Sequence, residues 1–144
     1  MAFQFGMGPS LSIANVPTAF KFSQEFVWHL SGDASGPAMG FLMQEGFGNR
    51  GMFGFTIAPK FVWDIPIDAP IPVYISPSAS LGFRAEHWSG SDTWYQVDMQ
   101  MGIAAKLILQ DRWILWVQPT NIDMLFGGGA GARYEFLLGA GVSF

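Results

Sequence analysis

The chain has 144 residues, of which 50% are hydrophobic, 16% aromatic and only 12% charged, with 18 Gly, 9 Pro and no Cys. This apolar content excludes a disordered chain, and the lack of cysteine excludes a disulfide scaffold and a thiolate metal site. A net charge of -4 gives no basic surface for nucleic acid, and no run approaches the roughly 20 apolar residues of a membrane-spanning helix. The length argues for one domain over residues 1–144.

Apolar and polar residues alternate along the whole chain, and this period of two predicts β-strands. The predicted strands cover residues 3–13, 20–30, 37–44, 53–64, 73–84, 95–109, 113–119 and 133–144. Turn signals separate them at 15–18, 31–36, 46–51, 65–70, 86–93, 110–112 and, as a longer Gly-containing loop, 120–131. Short connections require antiparallel neighbours. The sequence therefore predicts an all-β fold, a closed eight-stranded antiparallel up-and-down transmembrane β-barrel.

The positions of the charged residues indicate which face of each strand is outside. Seven of the 18 charges fall in predicted turns, Asp123 among them, and only Glu45 falls on an apolar face. The other ten, five positive and five negative, fall on polar strand faces: Lys21, Glu25, Lys60, Asp64, Arg84, Glu86, Asp98, Lys106, Arg133 and Glu135. They are too few to solubilise an exterior, and the bulky apolar residues exceed the space inside eight strands. We expect the apolar faces to contact lipid and the charges to pair in the lumen.

An even number of strands places both termini on one side of the membrane. The short turn at 110–112 and the long loop at 120–131 predict periplasmic termini. In that orientation an aromatic girdle has Trp28, Trp63 and Trp113 at the periplasmic rim and Phe20, Phe53, Phe83 and Tyr95 near the outer rim. In the same orientation we expect two groups of inward charges: Lys21, Glu25, Arg84, Glu86, Asp98, Arg133 and Glu135 toward the outer half, and Lys60, Asp64 and Lys106, with His29, toward the periplasmic half. No signal peptide precedes the first predicted strand, so we expect the numbering to describe a mature chain with an initiator Met.

The last predicted strand alternates apolar residues and ends in an aromatic one. The alternating positions include Tyr134, Phe136, Leu138, Val142 and Phe144. This segment resembles the C-terminal signal of outer-membrane β-barrel proteins, and the whole chain resembles the small eight-stranded barrels of the OmpA/OmpX type. The resemblance implies a Gram-negative outer-membrane protein that contacts the bilayer lipids and lipopolysaccharide and is recognised by the barrel assembly machinery.

Five prolines lie within or near the ends of the predicted strands: Pro9, Pro37, Pro59, Pro77 and Pro119. Because proline cannot donate to a strand ladder and a closed barrel has no free edge, we expect bulges or rim positions at these residues. All five share the lipid-facing parity.

The two histidines are the first candidates for chemistry. His29 points inward near the predicted periplasmic rim with Asp64 as a possible partner, and His87 lies in a loop beside Trp88 and Ser89. A nucleophile needs a base within hydrogen-bonding reach, and no His–Ser grouping falls on a lipid-facing strand. We therefore predict no catalytic residues, no metal site and no cofactor. The glycines at 127–131 lack the Lys and the helix of a phosphate loop.

Large side chains are also predicted to point into the lumen. Leu42, Tyr74, Gln100, Trp116 and Leu137 would obstruct a water path. We therefore expect a plugged lumen, and a structural barrel or a membrane-anchor subunit bound to other envelope proteins. A narrow or gated, porin-like channel and a lipid-modifying barrel enzyme are the alternatives.

Overall fold

The computed structural model describes residues 1–31, 35–127 and 129–144 and consists of eight β-strands. They are β1 (Ala2–Ala14), β2 (Ala19–His29), β3 (Gly36–Gly48), β4 (Met52–Ile67), β5 (Val73–His87), β6 (Trp94–Leu109), β7 (Trp113–Phe126) and β8 (Ala130–Ser143). A 3-10 turn at Asn49–Gly51 joins β3 to β4. Within the described ranges no helix is both long and apolar enough to cross a bilayer.

The strands form one closed antiparallel barrel. Each strand pairs with the next along the chain, and β8 pairs with β1 through residues such as Ala2 and Ser143. The predicted fold class is therefore confirmed. The predicted turn at 31–36 and the glycine loop at 127–131 lie partly outside the described residues.

Successive residues of each strand face the lumen and the outer surface of the barrel in turn. In β2, Lys21, Ser23 and Glu25 are buried, whereas Phe20 and Phe26 are exposed. Among the described residues, 20 polar or charged residues are buried against 13 hydrophobic ones, and the exposed strand faces are lined with Phe, Trp, Met, Ile and Leu. This is the reverse of a protein folded in water. The core is the lumen of the barrel.

The prediction for the seventh strand is wrong. The sequence indicated a loop from residue 120 onward, but β7 continues to Phe126. The ladder with β8 shifts between Gln118 and Asn121, which marks a bulge next to Pro119. One extra residue in β7 reverses which positions face the lumen after Pro119. Asn121 and Asp123 therefore point inward, in a segment for which the sequence indicated a loop. The predicted connection at 65–70 is also too long, because β4 extends to Ile67 through pairing with β5.

The other prolines interrupt the ladders without shifting them. Pro9 pairs with Phe20 of β2 but leaves a gap toward β8, and the register on both sides of that gap is the same. Pro59 and Pro77 leave similar gaps between β4 and β5. Pro37 lies one residue inside the start of β3. The expectation of a bulge or a rim position is therefore confirmed at Pro119 and at Pro37, whereas the missing donors of Pro9, Pro59 and Pro77 are accommodated within the ladders.

The connections do not differ in length between the two ends of the barrel. We call the end that holds Met1 and Phe144 the terminal end and the opposite end the distal end. The connections cover residues 15–18, 49–51, 88–93 and 127–129 at the distal end, and 30–35, 68–72 and 110–112 at the terminal end. The expected contrast between one short turn and one long loop is absent, because β7 occupies most of the predicted loop.

Candidate functional site

The described part of the lumen contains eleven charged side chains, and the largest ionic cluster is centred on Lys21 in the distal half. Lys21 is fully buried, and its Nζ lies 2.7 Å from Asp123 Oδ2 and also contacts Glu135 Oε1. The same Nζ is 3.4 Å from Gln44 Oε1. Asp123 and Glu135 come from β7 and β8, so the lysine of β2 connects distant walls of the barrel. Two carboxylates share one cation here.

A second distal cluster has the opposite composition, with one carboxylate between two guanidinium groups. Glu86 Oε2 accepts hydrogen bonds from Arg84 Nε at 2.7 Å and from Arg133 Nη2 at 3.0 Å. Arg133 Nη1 also lies 3.9 Å from Asp123 Oδ2, which links this cluster to Lys21. All four side chains are 0–1% exposed. The charges balance only when the two linked clusters are taken together. The three cations are Lys21, Arg84 and Arg133, and the three carboxylates are Glu86, Asp123 and Glu135.

Asp98 is held by neutral donors. Its Oδ2 accepts from Thr56 Oγ1 at 2.7 Å and its Oδ1 from Gln100 Nε2 at 3.0 Å. Gln100 Nε2 also lies 2.7 Å from Gln44 Oε1, and Asn121 Nδ2 donates to Glu135 Oε2 at 2.8 Å. This amide network joins Asp98 to the Lys21 cluster. Every residue of the network is buried, so its hydrogen bonds form in a low-dielectric environment where an unpaired group is costly.

The charges nearer the terminal end form two smaller groups. Lys60 Nζ contacts Glu25 Oε1 at 2.7 Å. The carboxylate of Asp64 has three partners. Its Oδ1 lies 2.9 Å from Lys106 Nζ and accepts from the hydroxyl of Ser76, and its Oδ2 lies 2.8 Å from His29 Nε2. The sequence suggested the His29–Asp64 pairing. It placed Glu25 with the distal charges, whereas its ion pair is with Lys60 at mid-height, because the strands tilt across the barrel.

Large side chains fill the lumen between these groups. Leu42 and Leu137 are 0–1% exposed, and Trp116 is 6% exposed. The Trp116 indole fits only because it faces glycine: a Cβ on Gly6 would lie 2.3 Å from its ring and one on Gly139 would lie 2.6 Å away. Gln100 is also buried, and Tyr74 is half-buried at the terminal mouth.

Cavities are found at both mouths and are small in between. The terminal mouth holds a cavity of about 210 Å³ bordered by Gln4, His29 and Lys106. The distal mouth holds one of about 480 Å³ bordered by Trp88 and Trp94. Between them, an internal void next to Trp116 measures about 10 Å³, which is close to the space for one water molecule.

The residues of the predicted aromatic girdle are all exposed on the outer face. Trp28, Trp63 and Trp113 lie near the terminal end, and Phe20, Phe53, Phe83 and Tyr95 lie toward the distal end. In the predicted C-terminal signal, Phe136, Leu138 and Phe144 are exposed, and Tyr134 and Val142 are half-buried. The Tyr134 hydroxyl donates to the carbonyl of Pro119. It therefore satisfies an acceptor at the β7 bulge on the outer surface.

Among the described residues, no serine hydroxyl is hydrogen-bonded to a histidine ring. The Ser76 hydroxyl donates to Asp64, which also contacts His29, so the carboxylate lies between the two. His87 is the last residue of β5 and does not lie in the predicted loop, and its ring lies 3.4 Å from Thr93 Oγ1 at the distal end. Within the described residues no group of three or more His, Asp or Glu is arranged to hold a metal ion.

Asp123 and Asn121 are polar lumen residues that the sequence prediction missed. Their signal was the resumption of alternation after Pro119: Asn121, Asp123 and Leu125 are buried, and Ile122 and Met124 are more exposed. A bulge at the proline restores this pattern, whereas an uninterrupted period of two does not. With Asp123 included, six carboxylates and five cations line the lumen instead of five of each.

The sequence matches no protein-family model, and comparison with curated protein sequences gives no significant match. Solved structures are nevertheless similar in fold. Neisserial surface protein A aligns with a TM-score of 0.77 at 10% identity, over 99% of this chain and 96% of that one. The N-terminal β-barrel domain of Pseudomonas aeruginosa OprF gives 0.63 at 12% identity, covering 99% and 97%. The outer membrane enzyme PagL gives 0.59 at 11%, covering 98% and 99%.

The chain has the fold of the small outer-membrane β-barrels. At 10–12% identity the likeness extends to the backbone architecture and not to particular side chains. What the chain does must therefore be argued from its own lumen and its own outer surface.

Proposed function

We propose that the chain is an integral outer-membrane barrel with a plugged polar lumen, which acts as a structural barrel or as the membrane-anchor subunit of an envelope assembly. The interlocked lumen carries this proposal. Each of the five cations contacts a carboxylate within the described residues, and the void at mid-height is about 10 Å³. A barrel filled in this way provides a rigid membrane-embedded surface.

The outer surface supports the membrane part of the proposal. Strands of 11–16 residues are long enough for the roughly 9–11 residues that a tilted strand needs to cross a bilayer. Their outward faces are largely apolar over that length, and closure leaves no unpaired sheet edge in lipid. We propose that lipids, including lipopolysaccharide, contact this surface, and that the β8 segment ending in Phe144 is read by the barrel assembly machinery.

We propose that both termini are periplasmic. Trp28, Trp63 and Trp113 near the terminal end fit an interfacial belt, although the lengths of the connections give no support. Because the chain has no cysteine, single-cysteine variants can test the orientation. In intact cells a membrane-impermeant maleimide should label Ser91→Cys in the distal loop and not Ser143→Cys. Labelling of Ser143→Cys alone would reverse the assignment.

A narrow or gated channel is the second candidate, because cavities of about 210 and 480 Å³ open at the two mouths. Planar-bilayer recording separates the two functions. A plugged barrel should show no steady unitary conductance. Trp116→Ala should not conduct either, since it enlarges only the terminal part of the lumen and leaves the clusters at Lys21 and Arg84 intact. Steady conductance in the wild type would favour the channel.

We propose no enzymatic role, although one structure of similar fold is described as an enzyme. Ser76 and His29 both contact Asp64, so the histidine does not contact the hydroxyl and the Ser–His contact of an activated nucleophile is not formed. The anchor role predicts stable partners. Affinity purification from native membranes should recover defined envelope proteins at constant stoichiometry, and recovery of the barrel alone under mild detergent would favour the purely structural role.

A further inference from the structure

One charged side chain lies on the outer face of the barrel instead of in the lumen. Glu45 of β3 follows the outward parity of Met43 and Phe47, and it is the only charged residue on an outward strand face in the described ranges. Its neighbour Gln24 of β2 is the only amide side chain on that face. Both are half-buried, and Gln24 Nε2 lies 3.3 Å from Glu45 Oε1 and 3.4 Å from Oε2.

This pair uses little of its hydrogen-bonding capacity. One amide nitrogen is shared between both oxygens of the carboxylate at long distances, and no other side-chain hydrogen bond of Glu45 or Gln24 occurs among the described residues. A carboxylate has about four acceptor positions, and the amide of glutamine has a second N–H and an oxygen. If the surface faces lipid, as the proposed function requires, water cannot satisfy the remainder.

The surroundings of the pair are also unusual. Ten of the 14 phenylalanines of the chain lie on β1 to β4, all with outward parity, whereas the outward faces of β5 to β8 are largely aliphatic. Phe22 lies between Phe5 and Phe47, with ring centroids 6.1 and 6.0 Å away. Contact with lipid alone gives no reason to concentrate aromatic rings on one side of a barrel. Aromatic residues around a few polar groups are typical of protein interfaces.

We propose that the β1–β4 face is the interface of a homodimer in the membrane, with a two-fold axis passing between Gln24 and Glu45. A two-fold interface must be self-complementary, and this patch has one donor next to one acceptor. Gln24 of each copy then donates its free N–H to Glu45 of the partner copy, and the phenylalanines of both copies pack around the four polar groups. A second copy of the chain is the occupant that supplies an acceptor for the Gln24 amide and a donor for the Glu45 carboxylate.

Cysteine cross-linking tests this interface, since the natural chain contains no cysteine. Met43 pairs with Gln24 in the β2–β3 ladder and lies two residues from Glu45, so it would be close to its own copy across the axis. Met101 on β6 is the matched control: it is also outward, on the other side of the barrel, and is 54% exposed whereas Met43 is half-buried. Random collisions between barrels would therefore cross-link a cysteine at position 101 more readily than one at position 43.

The two single-cysteine variants, Met43→Cys and Met101→Cys, are inserted into phosphatidylethanolamine–phosphatidylglycerol vesicles at decreasing protein-to-lipid ratios and oxidised with copper phenanthroline. The disulfide-linked fraction of Met43→Cys should exceed that of Met101→Cys about tenfold and should persist on dilution. Adding Glu45→Leu to Met43→Cys should lower it by about tenfold, the factor expected when about 1.4 kcal/mol of polar contact is lost.

Equal cross-linking of the two variants, or Glu45→Leu without effect, would overturn the dimer, including the case in which a lipid or a different protein covers the face. Flotation with the vesicles and a heat-modifiable gel shift report on insertion separately. A chain that inserts but does not cross-link refutes the dimer alone, whereas a chain that neither floats nor shifts refutes the membrane barrel. Glu45→Leu removes a charge from the outer face, so loss of folding is not expected to obscure the result.

Discussion

Replacing Lys21 by methionine should destabilise the barrel more than any other single loss of a lysine in the lumen. The substitution keeps a long unbranched side chain but removes the cation shared by Asp123 and Glu135. Both carboxylates then remain fully buried, and Asp123 retains only the longer 3.9 Å approach of Arg133. Breaking a buried ion pair by removing one partner typically costs about 3–5 kcal/mol. We expect the free energy of unfolding to fall by at least that amount.

Urea unfolding in lipid vesicles, followed by the heat-modifiable gel shift, measures this loss. Lys60→Met is the matched comparison, because Lys60 has one carboxylate partner, Glu25, and is 10% exposed; its loss should be about 1–3 kcal/mol. The double variant Lys21→Met, Glu135→Gln leaves the two arginines with two carboxylates, Glu86 and Asp123, and should recover most of the stability. If Lys21→Met lost no more than Lys60→Met, the shared-cation interpretation would be refuted.

Two further substitutions test packing and the outer surface. Gly6→Ala places a methyl group against the Trp116 ring, where a Cβ would lie 2.3 Å away, and should cost about 1–3 kcal/mol in the same unfolding assay; a second change, Trp116→Leu, should relieve most of that loss. Tyr134→Phe removes the donor to the Pro119 carbonyl and should cost about 1–3 kcal/mol, whereas Tyr95→Phe at the exposed rim should change stability by less than about 0.5 kcal/mol. Equal effects of the two tyrosine changes would contradict the assigned hydrogen bond.

The fold could be predicted from the sequence because it depends on a property that each strand expresses locally. Alternation requires only neighbouring residues, so β1 and β6 could be identified without knowing their partners. The sense of the barrel, with Phe outside and Lys inside, followed from counting charges and comparing side-chain sizes. Neither step needs the register of one strand against another.

Except for His29 with Asp64, the pairings inside the lumen could not be predicted in this way, because they depend on register and on the tilt of the strands. Glu25 was grouped with the distal charges by its position along β2, but its ion pair is with Lys60 of β4. Asp123 was lost for another reason: one bulge at Pro119 reverses the parity of every later residue in β7. A period of two in the sequence does not show where one residue has been inserted. The insertion is seen only in the pairing of β7 with β8.

The lumen charges also bear on the register of the strands, which the alternation of apolar and polar residues does not specify. Sliding one strand by two residues past its neighbour keeps every apolar residue outside, so the hydrophobic pattern alone permits several registers. The ion pairs are specific to one of them, since Lys21–Asp123 and Lys106–Asp64 join strands that are not neighbours in the sheet. Each pair therefore constrains the stagger of the strands that lie between its members. We infer that these side chains select the register of the closed barrel, so that variants lacking Lys21 should show altered cross-strand disulfide pairing as well as reduced stability; unchanged pairing would limit the role of Lys21 to stability.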